Sequence, residues 1–183
     1  MPDAKSPFLT EALRTFRGYK TRTETAFSQL HPDDWFRLID PEANSIAIIV
    51  KHMAGNMRSR WTDFLNSDGE KPNRDRDSEF ALDSSTTPEQ VLLWWNQGWS
   101  VVFAAIEPLT AADLDKKVTI RGQEHTVLEA ISRQLTHYAE HVGQIILLAK
   151  HFRGGEWKSL SIPKGQSAQL GASAELTNRA RRG

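Results

Sequence analysis

The chain has 183 residues, enough for one domain with a hydrophobic core and too few for a second domain of ordinary size. Lysine plus arginine equals aspartate plus glutamate at 23 each, so no net charge favours binding to nucleic acid, to an anionic membrane or to an acidic substrate. The sequence contains no cysteine, which excludes disulfides, thiolate metal sites and a cysteine nucleophile, so any metal ion must be bound by histidines and carboxylates.

Two helices are predicted in the first third of the chain. Ser6 followed by Pro7 is a typical helix start, because serine caps free backbone amides and proline suits the first helical position. Apolar residues then recur every three or four positions up to Pro32, namely Phe8, Ala12, Phe16, Tyr19, Phe27 and Leu30. A second helix is predicted to begin near Ser45 and to end around residues 66–69, with one apolar side formed by Ile46, Ile49, Met53, Met57, Trp61 and Phe64.

Two more helices are predicted in the second half of the chain. "TPEQ", from Thr87 to Gln90, has the form of a capping box with a proline inside it and opens a third helix that runs to Pro108. "TVLE", which begins at Thr126, is another capping box and opens a fourth helix that ends at the glycines of residues 154–155. Between them, alternation of apolar and polar residues around Arg121-Gly122 predicts a small hairpin.

These elements predict an all-α fold, a four-helix bundle that forms a single domain over residues 1–183. The connection over residues 67–86 is long and rich in charge, and loops of that length in compact domains are commonly functional or disordered. From about residue 157 the chain loses helical periodicity, which predicts an extended C-terminal tail. The longest apolar runs, "IAIIV" and "IILLA", are far shorter than the roughly 20 residues that span a bilayer, and the first residues contain no apolar signal segment. We therefore expect a soluble, cytoplasmic protein that binds neither membrane nor nucleic acid.

The fourth predicted helix carries two histidines in "QLTHYAEHVGQI", residues 134–145. His137 and His141 are four residues apart, hence about 40° apart around the helix, and they lie at one margin of its apolar side. Histidines at this spacing can bind one metal ion, and they can equally be core residues with ordinary hydrogen-bond partners. His52, in the second helix, also borders an apolar stripe and is close to Gly55, which permits close helix approach. Three histidines from two helices would suit a divalent ion with an open coordination position.

The same segment contains His-x-x-Glu-His, the motif of inverted zinc proteases, in which Glu140 would be the general base. On a helix, however, Glu140 points about 60° from His137 toward the polar side. No later helix offers inward carboxylates that could supply a further ligand, so we expect Glu140 at the surface. The remaining histidines lie at or near helix ends and are weaker ligand candidates: His31, His125 and His151.

Four segments of the sequence carry a family resemblance. "KHMAGNMRSRW", with His52, and "THYAEHVGQI", with His137 and His141, resemble the DinB/YfiT-like superfamily of small metal-binding four-helix bundles. "SRWTDFLNSDGEKPNRDRDSEF" and "LSIPKGQS" resemble an uncharacterised branch of it, so that the resemblance covers nearly the whole chain. It implies a divalent metal, zinc or nickel, bound by the three histidines, and a homodimer. It also implies a choice of reactions, because characterised relatives include transferases and isomerases that use thiols such as mycothiol or bacillithiol, and proposed metal-dependent hydrolases.

Other polar and aromatic residues could complete such a site. Asn56 and Gln144 are candidates to orient a ligand or a bound water, or else make ordinary interhelical hydrogen bonds. Arginines near the charged loop can bind a carboxylate or phosphate, although surface pairing with Asp63, Asp75, Asp77 and Glu79 is the simpler expectation: Arg58, Arg60, Arg74 and Arg76. Three tryptophans could line a pocket, but at helical spacing they more often belong to a core: Trp94, Trp95 and Trp99.

The chemistry follows from the ligand set. A metal held by three neutral imidazoles keeps its positive charge and can activate a water molecule or a thiol. Because the chain has no cysteine, a thiol would have to arrive as a low-molecular-weight co-substrate. The leading hypothesis is a metal-dependent enzyme that acts on a small-molecule substrate by thiol transfer or hydrolysis. The alternative is a non-catalytic bundle, with a structural metal or none, that acts through dimerisation or a partner; an open coordination position would separate the two.

Overall fold

The computed structural model describes residues 6–167, and within them the chain is mostly helical. It contains four α-helices: α1 (Pro7–Phe27), α2 (Ile46–Trp61), α3 (Pro88–Ile106) and α4 (Val127–Arg153). A two-stranded sheet precedes α4 and consists of β1 (Lys117–Ile120) and β2 (Gln123–Thr126). Short 3₁₀ turns lie at Pro32–Trp35, Asp77–Phe80, Ala111–Asp113 and Gly154–Glu156. Over this described part of the chain, no helix has both the length and the apolar character needed to cross a membrane.

All four helices begin at the predicted caps. The hydroxyl oxygen of Ser6 accepts from the Leu9 amide at 3.2 Å, and Ser45 makes the equivalent bond to Ile48 in α2. The capping box at α4 is complete, since Thr126 accepts from the Glu129 amide while the Glu129 carboxylate accepts from the Thr126 amide at 2.7 Å. The box predicted at α3 is only half formed: the Thr87 hydroxyl accepts from the Gln90 amide.

The predicted end of the second helix is wrong, because α2 stops at Trp61 rather than at residues 66–69. Thr62 adopts an extended conformation, and Asp63 follows with a φ of 48°, in the left-handed region. The Asp63 carboxylate then accepts from the Asn66 side chain at 2.8 Å, which closes a turn. Phe64 is nevertheless buried, so the apolar pattern that predicts the second helix continues beyond the end of α2.

The predicted hairpin is confirmed. Strands β1 and β2 pair antiparallel, with Lys117 opposite Thr126 and Ile120 opposite Gln123. The two residues between them, Arg121 and Gly122, both have positive φ angles, of 54° and 73°. That backbone matches the tight turn whose twist suits paired strands. The tip of the hairpin is fastened to the loop after α2, because the Asp68 carboxylate accepts from the amides of Arg121 and Gly122 at 2.9 and 2.8 Å.

Four aromatic rings, one from each helix, meet in the core. Phe16 of α1 lies 6.5 Å from Trp61 of α2, 6.0 Å from Trp99 of α3 and 5.8 Å from Tyr138 of α4, measured between ring centroids. All four side chains are fully buried. Such aromatic contacts add to the stabilisation from burying apolar area, so this cluster fixes the helices relative to one another.

The glycines of α2 and α3 permit two different close approaches. A Cβ on Gly98 would lie 2.8 Å from Met57 Sδ and 3.2 Å from the Ala54 backbone, so α3 packs against α2 at this point. A Cβ on Gly55 would instead overlap the carboxylate of Glu79. The expectation that Gly55 admits a neighbouring helix is therefore wrong, because the space is filled by a side chain from the α2–α3 connection.

After the turn at Gly154–Glu156, residues 157–166 form bends, turns and irregular chain rather than a helix. The start of this segment is attached to the end of α1, since the Lys158 amide donates to Gln29 Oε1 at 2.7 Å and Gln29 donates back to the Lys158 carbonyl at 3.1 Å. The remainder of the predicted tail, residues 168–183, lies outside the described residues.

Candidate metal centre

Three histidines from two helices converge at one place. His52 of α2 is buried, and His137 and His141 of α4 are half-buried beside it. The ring centroids lie 5.0 Å apart for His52 and His141, 5.8 Å for His52 and His137, and 4.7 Å for the two histidines of α4. One ring nitrogen from each lies within 4.8 Å of the others, so the three could hold a metal ion. The structure thus brings together the three residues that the sequence singled out.

His52 is oriented by a carboxylate. Its Nδ1 lies 2.9 Å from Glu79 Oε2, in the 3₁₀ turn of the α2–α3 connection. Glu79 is held in turn by Arg74, whose Nε and Nη2 donate to the two carboxylate oxygens at 2.8 Å each. Because an ionised carboxylate can only accept, His52 Nδ1 carries a proton, so in the neutral form of the ring the lone pair is on Nε2. A carboxylate behind a histidine in this way is a common support for a metal ligand.

Burial of Glu79 opposes its ionisation, but hydrogen bonds from His52 and Arg74 outweigh burial and hold the pKa of Glu79 below its usual value. The carboxylate is therefore ionised at neutral pH. The ring of His52 is also stacked on Phe80, at 4.8 Å between centroids, so its orientation is fixed from two sides.

The two histidines of α4 are supported by glutamines. Gln134 Oε1 lies 3.3 Å from His137 Nδ1, and Gln144 Oε1 lies 2.9 Å from His141 Nδ1. With these oxygens accepting from Nδ1–H, both Nε2 atoms bear lone pairs. The two Nε2 atoms face each other at 3.0 Å. The Nε2 lone pairs of both rings therefore point toward the same position between them.

Neither histidine of α4 is expected to be protonated at neutral pH. Burial lowers the pKa of His137 to about 4, with further contributions from His141, His52 and nearby arginines. Burial also lowers the pKa of His141, although the bond to Gln144 opposes this. Neutral imidazole is the form that binds metals, so the surroundings keep both rings ready to act as ligands.

A cleft of about 530 Å³ opens beside the cluster and is lined by His52 and His137. Asn56, Gln134, Thr136 and Glu140 also line it. The other five lining residues are arginines from α2, the α2–α3 connection, the hairpin and α4: Arg60, Arg74, Arg76, Arg121 and Arg133. A small molecule could therefore reach the histidines from solvent.

The other residues that the sequence suggested for the site have different contacts and exposure. Asn56 makes an interhelical hydrogen bond, accepting from the Tyr138 hydroxyl at 3.1 Å, while Tyr138 accepts from Trp61 Nε1 at 3.0 Å. Glu140 is exposed, as the sequence predicted. The histidines that are not part of the cluster are those considered weaker candidates: His31, His125 and His151.

The three tryptophans that could have lined a pocket pack in or against the core instead. Trp95 and Trp99 are buried in the apolar core. Trp94 is half-buried, with the Lys51 ammonium 5.6 Å from its ring centroid. None of the three lines the cleft beside the histidines.

Two supporting residues were missed in the sequence. Gln134 precedes His137 by three positions, just as Gln144 follows His141 by three, and this symmetry was a usable signal. For Glu79, the sequence predicts a surface ion pair with the loop arginines. It does pair with Arg74, but both side chains are buried, at 8 % and 5 % exposure. Nothing in the periodicity of an irregular loop indicates that one of its carboxylates turns inward.

A family model described as "Protein of unknown function (DUF1572)" matches residues 3–166. No curated protein matches the chain.

Proposed function

The chain belongs to the family described as DUF1572, and we propose that it is a metal-dependent enzyme with a single divalent ion bound by His52, His137 and His141. The four-helix bundle and the place of the family in the DinB/YfiT-like superfamily are part of the proposal. They are supported by the four helices, by the aromatic cluster to which each helix contributes, and by the spacing of the three histidines.

The observation that carries the proposal is the 3.0 Å separation of His137 Nε2 and His141 Nε2. With their Nδ1 protons directed at glutamine oxygens, these atoms present two lone pairs to each other. Two lone pairs at that distance repel, and a cation between the rings removes the repulsion. The donor set fits a divalent transition metal, since imidazole nitrogen suits zinc, nickel, copper and iron, whereas magnesium and calcium prefer oxygen.

The site is closer in type to a catalytic centre than to a structural one. Structural zinc sites are normally closed by four protein ligands, whereas catalytic sites use three and leave a position for substrate or water. Across residues 6–167, the potential ligand group at this site contains three residues. Glu79, whose carboxylate contacts the cluster, is engaged with His52 Nδ1 and Arg74. Two of the three histidines also line the open cleft.

The roles of the protein's own groups follow from their contacts. Glu79, Gln134 and Gln144 fix the tautomers of the three histidines and so orient their Nε2 atoms. The cleft admits the small-molecule substrate. A divalent ion bound there would supply Lewis acidity toward a water molecule, for hydrolysis, or toward a low-molecular-weight thiol, for transfer. A thiol would have to be a co-substrate, because the chain has no cysteine.

Metal stoichiometry tests the proposal. Metal-free protein is loaded separately with zinc, nickel or cobalt, and bound metal is measured by elemental analysis after removal of the excess. We expect one ion per chain in the wild type and in His151→Ala, a histidine outside the cluster. We expect loss of binding in His52→Ala, His137→Ala and His141→Ala, with helical circular dichroism retained. Wild-type stoichiometry in all three cluster variants would exclude the site.

The visible spectrum of the cobalt form distinguishes the two reactions. A new sulfur-to-cobalt charge-transfer band on addition of bacillithiol, mycothiol, glutathione or coenzyme A would favour thiol transfer. A spectrum unchanged by every thiol, with turnover of ester or amide substrates, would favour hydrolysis. A fourth protein ligand on the metal, without either response, would favour a structural metal and contradict the enzyme proposal.

A homodimer is also proposed, on the strength of the superfamily resemblance. The tryptophans lend it less support than expected, because four of the six are buried within the chain: Trp35, Trp61, Trp95 and Trp99. Light scattering at micromolar concentration tests it, and a monomeric mass would contradict it.

A further inference from the structure

Arg60 is buried, and no counterion from residues 6–167 is in direct contact with it. Its residue surface is 3 % exposed, and it lies near the end of α2 on the wall of the cleft. Within residues 6–167, its Nε and Nη1 have no hydrogen-bond partner although both atoms are buried. An arginine stays charged at any pH a protein tolerates, and burying an unpaired charge is costly. A native protein rarely keeps such a group without a reason.

Two carboxylates close to the cleft are already engaged with other cations. Glu70 accepts from Arg74 Nη1 at 3.1 Å and from Arg121 Nε at 3.2 Å. Glu79 accepts from Arg74 and from His52. Arg74, Arg121 and His52 each have an anionic partner, and in the described part of the chain neither carboxylate contacts Arg60.

Positive charge is in excess around Arg60 even though the chain as a whole is neutral. Five arginines and one glutamate line the cleft. Glu70 and Glu79 pair with Arg74 and Arg121, but positive charges still outnumber negative ones, which favours anions. Burial lowers the pKa of Arg60, and repulsion from Arg133 and Arg74 acts in the same direction, against the attraction of Glu70. The structure thus maintains a cationic cleft at some cost to its own stability.

The guanidinium is also held in place. Gly69 covers it so closely that a Cβ there would lie 2.6 Å from Arg60 Nη1. The Gly69 backbone is fixed in turn, since its amide donates to the Thr119 carbonyl at 2.8 Å and its carbonyl accepts from Ser59 Oγ at 3.0 Å. A guanidinium that is already immobilised loses little conformational entropy when it binds a ligand.

We propose that Arg60 binds the anionic group, a carboxylate or a phosphate, of a small molecule that occupies the cleft beside the three histidines. Arg60 follows His52 by eight residues, about 12 Å along α2, and Asn56 lies between them on the same side of the helix. One molecule can therefore place its anionic end at Arg60 and a reactive group near the histidines. The identification of this molecule as the substrate rests on the proposed metal-dependent activity, whereas anion binding by Arg60 does not.

Anion binding is tested on metal-free protein by calorimetric titration with inorganic phosphate and, separately, with succinate, at low ionic strength in a cationic buffer. We expect wild-type protein to bind at least one of the two, and the tighter one identifies the class of anion. Arg60→Gln should weaken that binding at least tenfold. Arg60→Lys should be intermediate, because an ammonium lacks the paired donors of a guanidinium. The matched control is Arg58→Gln, an exposed arginine on the same helix outside this cleft, which should bind as the wild type does.

A purely structural role for Arg60 would give the opposite stability result. If Arg60 serves a ligand, Arg60→Met should raise the Tm of the ligand-free protein, because it removes an unpaired buried charge. The anion that binds should raise the Tm of the wild type but not that of Arg60→Met. A lower Tm in Arg60→Met, or equal anion affinity in Arg60→Gln and wild type, would overturn the proposal, as would no binding of either anion by the wild type.

The two proposals fail separately. His137→Ala, which should lose the metal, should keep the response to phosphate or succinate. Anion binding by a wild-type protein that binds none of the tested metals would leave Arg60 as an anion site and reject the metal centre. Metal binding by a wild-type protein that responds to neither anion would support the metal centre and reject anion binding by Arg60.

Discussion

His137 Nε2 and His141 Nε2 lie 3.0 Å apart on α4, and on the far side of each ring a glutamine oxygen faces Nδ1. The glutamines are placed symmetrically in the sequence, Gln134 three residues before the first histidine and Gln144 three residues after the second. One stretch of helix thus supplies two ligand atoms together with the groups that orient them.

This arrangement predicts that the glutamines tune metal affinity without supplying a ligand. Gln134→Met and Gln144→Met should each weaken metal binding, by about 10- to 100-fold, because a histidine without its partner is free to rotate and change tautomer. Competition with a chelating dye measures the affinity, and the stoichiometry should stay at that of the wild type. Gln97→Met, an exposed glutamine of α3, is the control. Unchanged affinity in both variants would show that the glutamines do not orient the ligands.

Gly55→Ala should damage the site through Glu79. A Cβ at Gly55 would overlap the Glu79 carboxylate, which is held by Arg74 and His52 and has little freedom to move away. We expect weaker metal binding and a lower free energy of unfolding. Gly18→Ala is the matched control, because a Cβ there meets nothing within 4 Å. Replacing an exposed helical glycine by alanine should stabilise the protein by up to about 1 kcal/mol. The same gain at Gly55 would mean that Glu79 is not fixed in place.

The metal-free protein should lose stability as the pH falls from 6.5 to about 4. Burial lowers the pKa of His137 from 6.5 to about 4 in the folded chain, so in this window the unfolded chain binds a proton that the folded chain does not. His141 contributes in the same direction. Denaturant midpoints measured across this range should therefore fall less steeply in His137→Gln than in the wild type. Parallel pH profiles for the two proteins would contradict the assigned pKa.

Tyr138→Phe should lower stability while leaving metal affinity unchanged. The hydroxyl accepts from Trp61 Nε1 and donates to Asn56 Oδ1, and all three residues are buried. Removing it leaves a buried donor and a buried acceptor without partners, at a cost of about 1–3 kcal/mol in the free energy of unfolding. Urea denaturation and dye competition measure the two quantities. A large loss of metal affinity would instead show that Asn56 acts on the histidines through this hydroxyl.

Local features of the sequence determined much of the secondary structure and part of the site. The helix starts at Ser6, Ser45, Thr87 and Thr126 were predictable because a capping side chain bonds to amides only two or three residues away. The hairpin turn was also predictable, because it depends on residues that are neighbours in the sequence. The proximity of His137 and His141 follows from helix geometry alone, since residues four apart are always neighbours on one side of a helix.

Only the tertiary structure decided which distant groups meet. Glu79 reaches His52 across 27 positions because the α2–α3 connection folds back over Gly55, and an irregular loop has no periodicity from which that path can be predicted. Equal totals of acidic and basic residues implied no preference for an anionic ligand, yet packing gathers five arginines around one cleft and buries Arg60 among them. Net charge is a sum over the chain, whereas the potential that a ligand meets depends on which charges are neighbours in space, and that is fixed only when the helices and the loop pack together.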